Sequence, residues 1–359
     1  MTRSLRVLAG ANAYRTLRAE GLRSDLFRLR VGASGGPKWL VLSGLDRALA
    51  TGWLAGSGRE APLSMLGSSI GAWRLACHAM ADPVAALDRF LDAYLAQRYT
   101  SKPPPAEVSA VSEGILRQML GAAGADEILS HRACRLAVVV ARSRHLAASE
   151  TGWVQAAGLV GAALANSVSR RALSGFYERA LFADPRDHDR YAGFPSLVRR
   201  VHALTHGNLP SAVLASGSIP MVLAGVRDIP GAPGGVYRDG GITDYHFDLS
   251  FAPRGGLTLY PHFYSHLTPG WFDKSLGWRR VSAQRLTDAV ILCPSREFVQ
   301  RLPGGRIPDR SDFVEFGDAE RERRWRRVVD ESIRLGDDFL ALVERPDPGD
   351  WLEKMDAGT

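Results

Sequence analysis

The chain has 359 residues, a net charge of +7 and a sequence pI of about 9.6, with 45% hydrophobic and 23% charged residues. That is ample material for a sizeable core, and the composition excludes a disordered, collagenous or disulfide-built protein. The basic balance suits a phosphate-rich surface, but no helix-turn-helix, zinc-finger or RNA-binding aromatic pattern is present, so no nucleic-acid partner is expected.

In chain order, the first 22 residues lack a continuous apolar run, and Arg15 and Arg18 fall at helical spacing. An amphipathic first helix is predicted, not a cleaved signal segment. Residues 26–31 alternate and predict a strand, ending in Gly32-Ala33-Ser34-Gly35-Gly36-Pro37. A helix is predicted over 38–50, with Pro37 suited to its first turn. A second strand over 63–67 and a second helix over 70–80 follow. This alternation is the grammar of a parallel sheet covered by helices. Residues 82–131 read as amphipathic helices broken at Lys102-Pro103-Pro104-Pro105, and 134–140 as a buried strand.

Residues 151–169 carry no charge but include Thr151, Gln155, Asn166, Ser167 and Ser169, which predicts a buried or lid helix and not a membrane span. Asp184, Asp187, His188 and Asp189 could ligate a metal, but a solvated loop is the preferred reading. A helix over 208–216, strands over 256–260 and 288–293, and a long helix over 318–344 complete the pass. Cys77, Cys134 and Cys293 are far apart and without metal spacing, which points to free thiols in a reducing, cytoplasmic setting. No metal or organic cofactor is expected. The length admits one large domain with insertions or two domains. We read a single domain over 1–345, helical insertions at about 82–131 and 150–210, and a short tail over 346–359.

Three pieces carry chemistry. Gly67-Ser68-Ser69-Ile70-Gly71 fits Gly-x-Ser-x-Gly where a predicted strand meets a predicted helix. A serine there sits on a sharp turn, and the flanking glycines remove side chains that would collide. Ser34-Gly35-Gly36-Pro37-Lys38 lies between strand and helix, where free N–H groups can face an anion. Arg238-Asp239-Gly240-Gly241 offers a carboxylate that could act as a base or simply form a turn.

With Ala215-Ser216-Gly217-Ser218-Ile219-Pro220 before the aspartate, the order glycine-rich loop, Gly-x-Ser-x-Gly, Ala-Ser-x-x-Ile-Pro and Asp-Gly-Gly resembles the patatin-like phospholipases over roughly residues 26–250. The resemblance implies an α/β fold, a three-layer α/β/α sandwich on a mostly parallel sheet. It also implies a lipid acyl hydrolase with a Ser-Asp dyad: Ser69 as nucleophile between Gly67 and Gly71, Asp239 as base before Gly240 and Gly241, and Gly35 and Gly36 in the oxyanion loop. The family loop usually reads Gly-Gly-x-Arg-Gly. Here Lys38 stands where arginine is common, and Pro37 and Trp39 break the pattern. Pro37 has no N–H, which leaves Gly35, Gly36 and Lys38 as backbone donors. The sequence after Phe251 carries no motif of this set.

Alternatives stay open at this point. His246, His262 and His266 follow Asp239 in an order that a Ser-Asp-His esterase allows, although half-buried structural histidines are the preferred reading. An acyltransferase would use the same acyl-enzyme. A non-enzymatic lipid-surface protein with a relic site would fit the altered loop. A lipid ester substrate brings contact with anionic membrane, for which Arg321, Arg323, Arg324, Arg326 and Arg327 around Trp325 are the candidate patch. A solvated helix face with Trp325 in the core competes for the same residues.

Overall fold

In chain order the strands are β1 (Leu5–Ala9), β2 (Phe27–Gly32), β3 (Leu63–Ser68), β4 (Cys134–Ser143), β5 (Tyr177–Ala183), β6 (Val198–Ala203), β7 (Val226–Arg227), β8 (Val236–Asp239), β9 (Leu257–Pro261), β10 (Ala289–Pro294) and β11 (Leu352–Lys354). The helices are α1 (Ala11–Glu20), α2 (Ser43–Ala48), α3 (Ile70–His78), α4 (Pro83–Leu95), α5 (Pro105–Leu120), α6 (Gly124–Ser130), α7 (Gly152–Val168), α8 (Leu209–Ser216), α9 (Arg296–Arg301), α10 (Asp312–Glu315) and α11 (Asp318–Val343). The computed structural model describes residues 3–54, 59, 61–191, 198–248 and 256–355.

One sheet runs β11-β1-β10-β9-β2-β3-β4-β5-β6. Its centre, β10-β9-β2-β3-β4, is parallel, and antiparallel pairs flank it at β1–β10 and β4–β5. The central strands are buried on both faces, as helix-covered parallel strands must be. This is the expected mostly parallel α/β/α arrangement. On α11, Trp325, Val328, Phe339 and Leu342 are buried, and each such side chain contributes about 1.5–3 kcal/mol on leaving water.

Pairing on β4 positions the site. β3 runs along one edge of β4 as far as Ser68 opposite Val139. The short β8 then takes over, antiparallel, and ends with Asp239 opposite Val140. Two strands 170 residues apart at Ser69 and Asp239 therefore meet end to end against neighbouring residues of one strand.

Several expectations change. The amphipathic first helix exists as α1, but β1 precedes it. The helix expected over 38–50 is a 3-10 segment (Gly36–Leu42), the short α2 and a turn. Residues 150–210 are not a purely helical insertion, because β5 and β6 extend the sheet. Within the supposed tail, β11 pairs with β1. Residues around Phe251, where the motif-bearing part was expected to end, lie outside the described residues. Arg30, on the apparent polar face of an alternating strand, is fully buried with Arg74, His78 and Asp46. Among the described residues no helix is long and apolar enough to cross a membrane.

Candidate active site

Ser69 stands between β3 and α3 with φ 54° and ψ −134°, a backbone conformation that L side chains rarely adopt. Such strain persists only where surroundings enforce it. Here the enforcement is close packing of backbone. A Cβ on Gly71 would lie 2.1 Å from the Gly32 carbonyl oxygen, and one on Gly67 would lie 2.5 Å from Ala72 Cα. Only glycine lets the start of α3 sit this close to β2. The Ser69 N–H is held as well: it donates to Ser216 Oγ at 2.8 Å, and Ser216 Oγ donates to the Val139 carbonyl at 2.6 Å. Ser216, from the Ala-Ser-x-x-Ile-Pro run, thus ties the serine turn to β4. Its residue type was visible in the sequence, but this link was not.

Ser69 Oγ donates to Asp239 Oδ2 at 2.7 Å. Asp239 Oδ1 accepts the Gly241 N–H at 2.7 Å, and the Asp239 N–H donates to the Ser218 carbonyl at 2.9 Å. Gly240 is confined against β4, since a Cβ there would sit 2.1 Å from the Val139 carbonyl oxygen. Ser69 and Asp239 are 3% and 5% exposed, so water is largely excluded from the pair. Burial pushes the Asp239 carboxyl above its ordinary value. The Arg310 charge and the hydrogen bonds from Ser69 and Gly241 act in the opposite direction. The resulting carboxylate has only neutral direct partners and a serine hydroxyl already aimed at it.

The glycine loop faces this pair from the end of β2. Ser34 Oγ is 2.9 Å from Ser68 Oγ, and a Cβ on Gly241 would approach Ser34 Oγ at 2.6 Å. Gly36 has φ +54°, which favours glycine. Among the described residues, the N–H groups of Gly35 and Gly36 have no protein acceptor. The third expected donor differs: the Lys38 N–H turns back to the Gly35 carbonyl at 3.4 Å. Lys38 Nζ pairs with Asp309. Trp39 does not crowd the loop. It is buried in the core and stacks on Phe90, with ring centroids 4.7 Å apart.

The histidines are elsewhere. His246 Nδ1 accepts the Thr268 N–H at 2.9 Å, and His262 Nδ1 lies 2.7 Å from the Tyr264 carbonyl oxygen and 3.0 Å from the Tyr264 backbone nitrogen. Their rings meet edge to face at 4.3 Å, and neither bonds Ser69 or Asp239. Both are fully buried instead of half-buried, and burial lowers His262 to about 3 and His246 well below its ordinary value. His266 is the partly exposed one. In the 184–189 loop, Asp184 pairs with Arg186, and Asp187 pairs with Arg190 and bonds Ser64. Among the described residues no group of three or more His, Cys, Asp or Glu could hold a metal.

Two cations that sequence reasoning did not mark also reach the site. Arg310 borders the same narrow pocket as Asp239, together with Ile219, Pro220, Ile242 and Trp271. Lys274 Nζ lies over the Tyr245 ring, 3.9 Å from its centroid. Neither has a sequence pattern around it.

The family model described as patatin-like phospholipase matches residues 20–246, well over half of the chain. No curated protein matches it. The match takes in the glycine loop, the serine turn, Ser216 and Asp239, and stops before Lys274 and Arg310.

Proposed function

Because the chain belongs to the patatin-like phospholipase family, a family of lipid acyl hydrolases, we propose that it hydrolyses lipid carboxylic esters with a Ser69–Asp239 dyad. The observation that carries this reading is the 2.7 Å hydrogen bond from Ser69 Oγ to Asp239 Oδ2 in a site where both residues are largely buried. Asp239 accepts the Ser69 proton as Oγ attacks the ester carbonyl, and the oxyanion turns toward the Gly35 and Gly36 N–H groups. The C–O bond to the alcohol breaks, and protonated Asp239 returns the proton to the leaving oxygen. Water then repeats the sequence on the acyl-serine, releasing the acid and restoring the hydroxyl. An ordinary aspartate, with pKa about 4, is a weak base for this. Burial of Asp239 raises its proton affinity and suits an acyl chain as neighbour. Labelling with a fluorophosphonate probe tests the assignment. Ser68→Ala should label and Ser69→Ala should not, and equal labelling of the two variants would remove Ser69 from the mechanism.

The lipid-surface part of the reading moves to a new place. The arginines at the start of α11 are engaged locally: Arg321 with Asp318, Arg323 and Arg324 with Glu320, Arg326 with Glu322, and Arg327 with Glu331. Trp325 is in the core. By contrast, the uncharged α7 exposes Trp153, Ala157, Val160, Leu164 and Val168, spaced along one face. Its other face carries Leu159 and Ala162, in an apolar cluster with Ile242 and Trp271 of the dyad pocket. Arg171 follows its C-terminal end without an ion-pair partner among the described residues. We infer that α7 rests on anionic lipid. Co-sedimentation with anionic vesicles should fall in a Val160→Glu/Leu164→Glu variant and stay unchanged in Arg323→Glu/Arg326→Glu. The reverse ranking would return the contact to α11.

A further inference from the structure

Beyond residue 246 the chain supplies charge to the site. A Cβ built on Gly36 would lie 3.1 Å from Arg310 Nε and 3.8 Å from Nη2, so this guanidinium lies across the glycine loop. It also borders the narrow pocket lined by Asp239 and Gly241. Among the described residues the Arg310 guanidinium has no hydrogen-bond or ion-pair partner. Its nearest acidic neighbour in sequence, Asp309, pairs through one oxygen with Lys38 and accepts the Arg310 main-chain N–H at 2.6 Å on the other. Asp239 feels the Arg310 charge but does not bond it, because its two oxygens take the Ser69 hydroxyl and the Gly241 N–H.

Lys274 is the second such group. The residue is exposed, its ammonium lies over Tyr245, and it has no carboxylate partner among the described residues. Desolvation of the ammonium, then the charges of Arg310 and Lys38, lower it to about 7. Lys38 is answered by Asp309, and Asp239 bonds neither Arg310 nor Lys274, so the Arg310 guanidinium has no bonded counter-ion where a substrate would stand against the oxyanion loop. A planar guanidinium with free donors matches a carboxylate or a phosphodiester, and a nearby ammonium adds a point charge.

We infer that Arg310 and Lys274 form an anion subsite beside the dyad, which receives a phosphate or carboxylate carried by the substrate next to its scissile ester. The placement of the ester rests on the Ser69–Asp239 reading; the subsite itself does not. Specificity would then come from the part of the chain that the family model does not reach.

The test compares wild type with Arg310→Met, Lys274→Met and the double variant on matched soluble esters. The neutral substrates are p-nitrophenyl butyrate and a short-chain monoacylglycerol. The anionic ones are the p-nitrophenyl monoester of glutarate, for carboxylate, and the corresponding monoacylglycerol phosphate, for phosphate. In the double variant kcat/KM on an anionic ester should fall about 10–100-fold, the loss typical of hydrogen bonds to charged groups. Values on the neutral esters, compared on the pH plateau above the acid limb so that the Arg310 charge at Asp239 does not enter, should stay within about threefold. Arg310→Lys should recover part of the loss, and the arm that responds identifies the anion. An equal fall on neutral and anionic esters would make Arg310 a partner of the oxyanion or of Asp239 and overturn the subsite, as would no fall at all. Calorimetric binding of glycerol phosphate and of glutarate to Ser69→Ala, with and without Arg310→Met, needs no turnover. If wild type hydrolyses none of the esters and Ser69 does not label, the dyad reading fails, while this binding still decides the subsite: binding of either anion lost with Arg310→Met upholds it, and binding absent or unaffected overturns it.

Discussion

Asp46 and Asp239 are both buried carboxylates that touch α3, one through Arg74 and His78 along its length, the other through Ser69 at its first turn. Around Asp46, Arg74 donates through Nε at 2.6 Å and Nη2 at 2.8 Å, and Arg30 donates at 2.9 Å. Burial alone would raise its pKa, but Arg74 and His78 hold it well below the usual carboxylate range. Asp239 has a hydroxyl and a peptide N–H as direct partners, and burial raises it. Burial is common to both; what separates them is whether a guanidinium bonds the carboxylate directly. Asp46 is a fixed counter-ion that pins β2, α2 and α3 together. Asp239 retains the proton affinity a general base needs.

The largest effects should divide along that line. Asp239→Asn removes general-base catalysis, worth typically about 10²–10⁴-fold, so ester turnover should fall by that order while the unfolding midpoint at neutral pH holds or rises. Asp46→Asn should do the opposite. It leaves Arg30 and Arg74 buried without a charge partner, at a cost of about 3–5 kcal/mol. Urea unfolding at pH 7 measures that loss, and the protein that remains folded should still label at Ser69. A folded Asp46→Asn variant that no longer labels would mean the two carboxylates are not separable.

Next in size is Gly36→Val, which tests the proposed oxyanion loop. The valine would face a positive φ and Arg310 Nε at 3.1 Å, a flexible neighbour that can yield. Turnover should therefore fall by up to about 10²–10³-fold, the scale of losing one oxyanion donor, with a smaller change in thermal midpoint. Normal turnover would locate the oxyanion donors elsewhere.

How much of this was legible follows from how local each piece is. The serine turn, the glycine loop and Asp239-Gly240-Gly241 each fit in five residues or fewer, and glycine at Gly67, Gly71 and Gly240 reports backbone approach directly in the sequence. Among the central strands, β4 announced itself as an apolar run and β2 as an alternating one. What brings Ser69 to Asp239 did not, because β8 is four residues long and its register on β4 is a long-range pairing. Arg30 kept the period of a half-solvated strand while its charge was answered by Asp46 on another element. Arg310 and Lys274 stand alone in their segments, and a lone cation carries no pattern. The short β1 and β11 were hidden for the same reason as β8.

The pH response should separate the two carboxylates more gently. Asp239, raised in the folded state, contributes stability below about pH 4, the unfolded value, and loses it as pH rises through its folded value. Asp239→Asn should therefore gain on wild type above that range and match it below. Asp46, lowered, works in the other direction and favours folding above about pH 4. His78, lowered by burial to about 4, adds stability that is complete above about pH 6.5 and fades as pH falls towards 4. Urea midpoints from about pH 2 to 8 check all three. The acid limb of kcat/KM should lie above the ordinary aspartate range, since Asp239 must be ionised to act.

The smallest expected effect would break the comparison outright if it were large. In a Ser-Asp-His enzyme the aspartate orients a histidine and balances its charge during turnover, which would make Asp239 a counter-ion of the same kind as Asp46. The geometry argues against this. The nitrogen of His246 that is bonded faces Thr268, that of His262 faces Tyr264, and Asp239 has both oxygens engaged without them. Burial also keeps His246 and His262 neutral across the working range. Alanine at either position removes a packed ring and should destabilise by about 1–3 kcal/mol, whereas His266→Ala, at a half-exposed site, should change stability little. Turnover per folded molecule, normalised by fluorophosphonate titration, should stay within about threefold for all three, far from the 10²–10⁴-fold scale of general-base loss. A histidine variant that is folded, labels poorly and loses turnover as completely as Asp239→Asn would transfer the base from the carboxylate to that ring, and Asp239 would then join Asp46 as a fixed charge.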